Sequence, residues 1–306
     1  MNKYPYGKQW INDEDIAAVS EALRGDYLTG GGHVSAFEEA FAERVGAKYA
    51  VAVSSGTAAL HLAYMATGLT DGDEIITTPL TFAATANAAL YCGARPVFTD
   101  IDRTGNIDVS LIEKAVTPST RLIAPVHYAG QPAQMAEIHA IAEKHNLFVI
   151  EDACHALGAL DGKEKIGGCT YSDMAVFSLH PVKHITTGEG GIITTNNKSI
   201  YERLKLLRSH GIATSEQSWK KDMQLLGYNY RITAIQCALG SSQLKRLDMF
   251  LEGRRRVAAC YDSLLESSRF FTPLERRSGI QHAYHLYPVL LDKTLDRDSF
   301  IEKAHE

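Results

Sequence analysis

Lys183 lies in an irregular segment, Pro181 to Gly191, that directly follows the apolar run Met174 to Leu179. An amine at the end of a buried strand is partly desolvated and can attack a carbonyl as a Schiff-base nucleophile; taken alone, the residue also reads as a solvated surface lysine. Complementary groups stand elsewhere in the chain. Asp152 closes the stretch LFVIED and is followed by Ala153, Cys154 and His155, and a carboxylate there needs a partner, because an unpaired buried charge is costly. Ser54, Ser55, Gly56 and Thr57 open a helix at Ala58. Such a turn offers free N–H groups and a positive dipole end to a phosphate, although the same residue types also cap ordinary helices. Phe82 supplies an aromatic ring and Ser178 a hydroxyl. A lysine, a carboxylate, a flat ring and a phosphate cup are what pyridoxal 5'-phosphate (PLP) requires: an imine, a protonated pyridine nitrogen, a stacking surface and an anchor. His127, His155 and His180 raise zinc as a rival, but no pair has local ligand spacing, so no metal is expected.

These residues fall after short apolar runs that read as strands: 49–53, 74–78, 96–100, 121–126, 147–151, 174–179 and 191–195. Helical periodicity fills the gaps between the first five. Alternation of this kind implies an α/β fold with a mostly parallel sheet flanked by helices, whose ligands collect at the carboxyl ends of the strands. Upstream, a helix over 12–24 is expected with Asn12 as cap and Ile16, Val19 and Leu23 on one face. A second is expected with a Ser35–Glu38 capping box. Downstream come a helix with Ile200, Leu204 and Leu207, and a polar loop from Ser215 to Gly227. A long helical region follows over about 233–265, interrupted at Gly240 and Gly253, then a strand HLYPVLL (285–291) and a helix from Arg297 to His305. The division expected is a large cofactor-binding domain over 1–235, then a bridging helix and a small C-terminal α+β domain over 236–306 that reads as truncated.

The chain has 306 residues, 45% hydrophobic and 22% charged, with a formal net charge of -5. Nucleic acid is not an expected partner, and the triplet Arg254 to Arg256 reads as a solvated helix face. Five cysteines without a C-x-x-C pair read as reduced thiols. The first ten residues lack the apolar core of a signal peptide, and no apolar run has membrane-spanning length. The expected location is the cytoplasm, with no membrane partner.

In order and spacing, VSSGTAALHLA, TPLTFAATANAA, EDACHALGA, FSLHPVKHITTGEGG and GYNYRIT resemble the sugar aminotransferases of the DegT/DnrJ/EryC1/StrS family. The resemblance implies a fold type I PLP-dependent transferase working as a homodimer with shared active sites. It makes Lys183 the Schiff-base lysine and pairs Asp152 with the pyridine nitrogen. It stacks Phe82 on the ring, gives the phosphate to Ser55, Gly56, Thr57 and Ser178, and lets Asn229 reach the cofactor of the neighbouring subunit. His155, where the family commonly has glutamine, together with HPVKHIT, GNID, HYAG and RSHG, is similar to the pseudaminic acid branch. That branch moves an amino group from L-glutamate to C4 of a UDP-linked 4-keto-6-deoxy-N-acetylhexosamine, with pyridoxamine 5'-phosphate as intermediate. By this resemblance His155 lies near the cofactor ring, and His180, His184 and Arg231 are candidates for substrate contact. Family members usually continue for several tens of residues past this end. The alternatives left open are another nucleotide-linked keto sugar and a non-catalytic PLP-binding fragment. A nicotinamide oxidoreductase would need G-x-G-x-x-G after the first strand, which VSSGTAAL lacks.

Overall fold

The seven apolar runs all become strands of one sheet in the computed structural model, which describes residues 7–213 and 221–305. They are β1 (Tyr49–Val53), β2 (Glu74–Thr77), β3 (Arg95–Phe98), β4 (Thr120–Ile123), β5 (Phe148–Asp152), β6 (Met174–Ser178) and β7 (Gly191–Thr195), in the spatial order β1-β7-β6-β5-β4-β2-β3. From β6 through β5, β4 and β2 to β3 every pairing is parallel, whereas β7 runs antiparallel to both β6 and β1. Parallel neighbours need a crossover connection that carries the chain back to the starting edge; the loop from β6 to β7 makes none, so the chain simply turns back. That loop carries Lys183.

The helices are α1 (Asp13–Arg24), α2 (Gly32–Val45), α3 (Gly56–Ala66), α4 (Ala83–Tyr91), α5 (Val109–Ala115), α6 (Met135–His145), α7 (Lys198–Arg208), α8 (Ala234–Lys245), α9 (Leu247–Leu265) and α10 (Arg297–His305). One sheet face, with Val51, Ile75, Leu122, Ile150, Val176 and Ile193, is covered by α3, α4 and α7. Alternate residues meet α2 and α8 through Ala52, Ala175 and Phe177, and α5 and α6 through Ile76, Ile123 and Val149. Burying each large aliphatic side chain in these layers contributes roughly 1.5–3 kcal/mol, so the three layers hold the strand ends rigidly in place.

Several expectations are corrected. In α1, Asn12 does cap the helix and forms a capping box, but with Asp15; Asp15 and Ala22 are buried while Ile16 and Leu23 are exposed. The buried face follows polar pairing, since Asp15 accepts from Arg246 and Gln243 on the facing α8 segment. The expected Ser35–Glu38 box does not form. α2 begins at Gly32 without a side-chain cap, and Glu38 instead accepts from the backbone of Ala52 and pairs with Arg208. The long helical region breaks at Arg246, between α8 and α9, rather than at its glycines. Gly240 sits inside α8 because the Phe37 ring packs where a side chain would be. Strand HLYPVLL shortens to Val289–Leu291, paired with Phe271–Pro273. Of the polar loop, 214–220 lies outside the described residues; beyond it Asp222–Met223 pairs with Ile212–Ala213. The N-terminal reading falls in part on residues 1–6, also outside them. The division expected at 235/236 falls in the first turn of α8. Among the described residues no helix is long and apolar enough to cross a membrane.

Candidate active site

The carboxyl ends of β5 and β6 lie side by side, with Asp152 registered against Val176 and Ser178 two residues further along. Asp152 is 4% exposed. Its carboxylate accepts from the Thr85 hydroxyl at 2.7 Å and from the Cys154 backbone N–H at 3.2 Å. Thr85 is itself bonded to the Thr81 hydroxyl at 2.7 Å, so the first turn of α4 reaches over the sheet edge to orient this carboxylate. Phe82, at the N-cap of α4, accepts the Thr85 N–H through its carbonyl and leaves its ring 72% exposed. A ring free of the core, one helical turn from the residue that holds Asp152, can face a flat ligand over that edge. Thr85 was not legible in the sequence as a site residue, because it acts on Asp152 only through a tertiary contact.

The turn Ser54 to Thr57 meets β6 and β7 at very short range. A Cβ added to Gly56 would stand 2.9 Å from the Ser178 Cβ and 3.2 Å from its hydroxyl, and one on Gly191 would stand 2.3 Å from the Ser55 carbonyl oxygen. Glycine at 56 and 191 is therefore what lets the start of α3, Ser178 and the start of β7 converge. Ser55 caps α3 by accepting the Ala58 N–H at 3.0 Å. First-turn N–H groups of a helix have no partner inside it, so the Ser178 hydroxyl and the α3 terminus form a cradle for an anion.

Lys183 is half-buried, in a loop closed by Leu179 N–H donating to Gly190 O at 2.9 Å and Thr187 N–H to Leu179 O at 3.1 Å. Beside it lies a group of imidazoles. His155 and His285 stand with ring centroids 4.4 Å apart and His184 and His285 5.7 Å apart. The Nδ1 atoms of His155 and His285 are buried without a hydrogen-bond partner. Burial, then the Lys183 charge, lower the His155 pKa to about 4, with Asp152 opposing. Burial and neighbouring imidazoles lower that of His285, and burial followed by Arg254 that of His184. All three rings are neutral near pH 7. His180 is exposed, whereas His184 is buried and donates through Nε2 to Ala283 O at 3.1 Å, so the structure sets these two apart. His285 was missed in the sequence because HLYPVLL reads as a strand.

A histidine with a folded pKa near 4 and an unfolded one near 6.5 binds fewer protons when folded between those values, so its contribution to stability is intact above about pH 6.5 and is lost as pH falls toward 4. The expected result is a loss of about 2 kcal/mol at pH 5 from His155 alone, measured as the urea midpoint at pH 7 and pH 5.

The remaining candidates flank this edge. Asn229 and Arg231 are exposed on a segment that joins the end of β1, with Ser54 N–H donating to Tyr230 O at 2.9 Å and an isolated bridge between Val53 and Arg231. His127 is wholly buried: Nδ1 accepts the Ala133 N–H at 2.9 Å, so Nε2 donates to Glu151 at 2.8 Å. That engagement removes it from any ligand set, and among the described residues no group of three or more His, Cys, Asp or Glu could hold a metal. Arg254 is not on a solvated face: its guanidinium donates to the carbonyls of Lys183, Tyr284 and His285.

The model of the DegT/DnrJ/EryC1/StrS aminotransferase family matches residues 9–306. A UDP-4-amino-4,6-dideoxy-N-acetyl-beta-L-altrosamine transaminase of Campylobacter jejuni is 45% identical over 289 residues, 94% of this chain and 76% of that protein. Among solved structures, Helicobacter pylori PseC, an aminotransferase involved in the biosynthesis of pseudoaminic acid, superposes with a TM-score of 0.94 at 36% identity, covering 99% of this chain and 82% of its own. The putative sugar aminotransferase Spr1654 from Streptococcus pneumoniae, solved in PLP and PMP forms, superposes at 0.89 in each, at 28% and 27% identity, covering 95% of this chain and 78% and 79% of its own.

Proposed function

Because this chain belongs to the DegT/DnrJ/EryC1/StrS aminotransferase family, we propose that it moves an amino group from L-glutamate to C4 of a UDP-linked 4-keto-6-deoxy-N-acetylhexosamine, with PLP as cofactor. The observation that carries this reading is the convergence of Asp152, the Gly56–Ser178 cradle, Lys183 and the unpartnered His155 Nδ1 at one sheet edge. The substrate reading follows the transaminase of Campylobacter jejuni to which the chain is 45% identical. The residues fit the cofactor: a cradle that only glycine leaves open, a fixed carboxylate, an exposed ring at Phe82 and a buried imidazole nitrogen free to bond. When bound, PLP supplies an electron sink that lets an amino group leave one carbon and join another.

In this reading Ser55, Gly56, Thr57 and Ser178 hold the phosphate, Phe82 stacks on the ring and Asp152 holds a proton on the pyridine nitrogen. Lys183 Nζ takes the proton from the α-carbon of L-glutamate and later delivers one to C4 of the sugar. The neutral His155 bonds the ring through Nδ1. His180 and Arg231, both exposed at the same edge, meet the substrates.

The purified chain with PLP is expected to convert L-glutamate to 2-oxoglutarate with stoichiometric amination of the UDP-linked keto sugar. A panel of dTDP- and GDP-linked 4-keto sugars tests the nucleotide. Failure to release 2-oxoglutarate from a folded, PLP-loaded protein would sink the reading, and preference for another nucleotide would change only the acceptor.

Assembly into a homodimer belongs to the same proposal. Tyr27, Phe82, Met223 and Leu226 are all about 70% exposed, and Asn229 lies exposed on a neighbouring segment. A second copy that covers these apolar groups would bring its own Asn229 toward the cradle. Light scattering is expected to give twice the chain mass; a monomer at working concentration contradicts the arrangement.

Gly56→Ala tests the cradle. Its methyl would overlap Ser178 at 2.9 Å, so α3 and β6 must separate, at a cost of about 1–3 kcal/mol in stability. PLP affinity is expected to fall at least about tenfold, read by fluorescence titration against the unmodified chain.

A further inference from the structure

The segment Ala283 to Leu286 lies far from the sheet in sequence yet forms part of the wall around Lys183. Ala283 N–H donates to Gly130 O at 2.9 Å and Leu286 N–H to Ala129 O at 3.2 Å. The approach is so close that a Cβ on Gly130 would stand 2.8 Å from His155 O, 2.9 Å from Tyr284 N and 3.1 Å from His285 N. Gly130 also holds a φ of +102°, which strains any other residue. From the other side, Arg254 Nη1 donates to Tyr284 O and His285 O at 3.2 Å each, while its Nη2 reaches Lys183 O at 3.4 Å. One guanidinium on α9 thus ties the loop of Lys183 to the segment of His285. Among the described residues no carboxylate pairs with it, and its donors serve the backbone.

The imidazole that this scaffold delivers lies against His155 with ring centroids 4.4 Å apart and planes inclined by 38°. We propose that His285 is a positioning residue for amino transfer: clamped by Arg254 and the Ala129–Gly130 backbone, its ring sets the orientation of His155 and so aims the unpartnered His155 Nδ1 at the cofactor. The inference rests on the PLP reading given above. Two features argue against simple filling of space. A Leu would fill the gap without leaving a buried Nδ1 unsatisfied, but it presents no flat face to the His155 ring, whose centroid is 4.4 Å away. And the same arginine fixes both partners of the arrangement, the Lys183 loop and the His285 backbone. The charged and titratable groups that face His155 are Asp152 on β5, Lys183 after β6, Tyr128, and the two imidazoles His184 and His285.

The test follows the His155 imidazole by NMR in histidine-labelled protein without cofactor, with His155→Gln to assign its signals. His285→Ala removes the ring that covers His155; the His155 signals are expected to move and its pKa to rise from about 4 by about one pH unit or more. In PLP-loaded protein the same change is expected to lower kcat about tenfold or more, with little effect on KM for L-glutamate. His285→Phe, which keeps a ring in place, should restore the His155 signals and most of kcat. Unmoved His155 signals and titration in folded His285→Ala overturn the proposal. Should that variant not fold, Arg254→Lys, which weakens the clamp without touching either ring, must move the His155 signals, and their constancy overturns it equally. Because the NMR needs no cofactor, wild-type protein that fails to bind PLP would refute the cofactor reading separately, whatever His155 does.

Discussion

Lys183→Ala is expected to lose amino transfer by at least about a thousandfold while keeping its fold. The loop that carries Lys183 is fastened by main-chain bonds, Leu179 to Gly190, Thr187 to Leu179 and Lys183 N–H to His180 O, none of which uses the amine. The side chain can therefore be removed with little effect on stability, and the loss reports chemistry. The measurement is 2-oxoglutarate release in a single turnover, paired with the visible absorption that PLP acquires on joining a lysine amine. Added methylamine should restore part of the rate, since it replaces the missing base in solution. Substantial activity in the unrescued variant would mean that another group moves the proton. Lys183→Arg keeps a cation at the same place and is expected to remain inactive, because a guanidinium does not give up its proton at working pH.

Asp152→Asn is expected to reduce kcat/KM by about 10²–10³, the range found when one preorganised electrostatic partner is withdrawn. The amide keeps the size and can still accept from either Thr85 or Cys154, so folding should survive. What is lost, on the proposed reading, is the negative charge that would hold a proton on the pyridine nitrogen. Asp152→Ala separates the two contributions. It removes the charge and also leaves the Cys154 amide unpaired and the Thr85 hydroxyl with Thr81 alone, so an additional loss of about 1–3 kcal/mol in stability is expected. In both variants His155 should titrate lower than in the parent, because the Asp152 charge is what opposes its depression. Equal activity of Asp152→Asn and the parent would dissociate this carboxylate from the reaction.

The sheet was legible because each strand is a short β-branched run bounded by turn residues, a signal that depends on nearest neighbours alone. The residues at the strand ends were legible for a related reason: Asp152, Ser178 and the turn at Gly56 are displaced by only a residue or two from an apolar run. The residues missed act through tertiary contact. Thr85 reaches Asp152 from another helix, and nothing in its local sequence distinguishes it from any helical threonine. His285 belongs to a stretch whose composition favours a strand, yet contacts with Gly130 and Arg254 pull it out of that conformation. Arg254 sits in a basic triplet on a helix, which by composition is a solvated face; burial under the C-terminal segment decides otherwise. Helix α1 forms where expected, but its buried face differs for the same reason, because the Asp15–Arg246 pair outranks the apolar stripe that periodicity selects.

The antiparallel return of β7 also bears on how the molecule is made. β1 is the first of these seven strands to be synthesised, but among the described residues its only partner in the sheet is β7, the last of the seven. Until then Tyr49–Val53 has no ladder to join, and YAVAV is an uncharged, apolar run of the kind that pairs promiscuously with other edges. The proposed anion cradle shares that delay, since Ser55 and Gly191 meet only when β7 docks. Nascent chains stalled before Gly191 would thus hold the remaining parallel strands and the Asp152 end of the site, yet offer no anchor to a phosphate. Folding of such long-range pairings is slow, so of the seven strands β1 waits longest for its ladder.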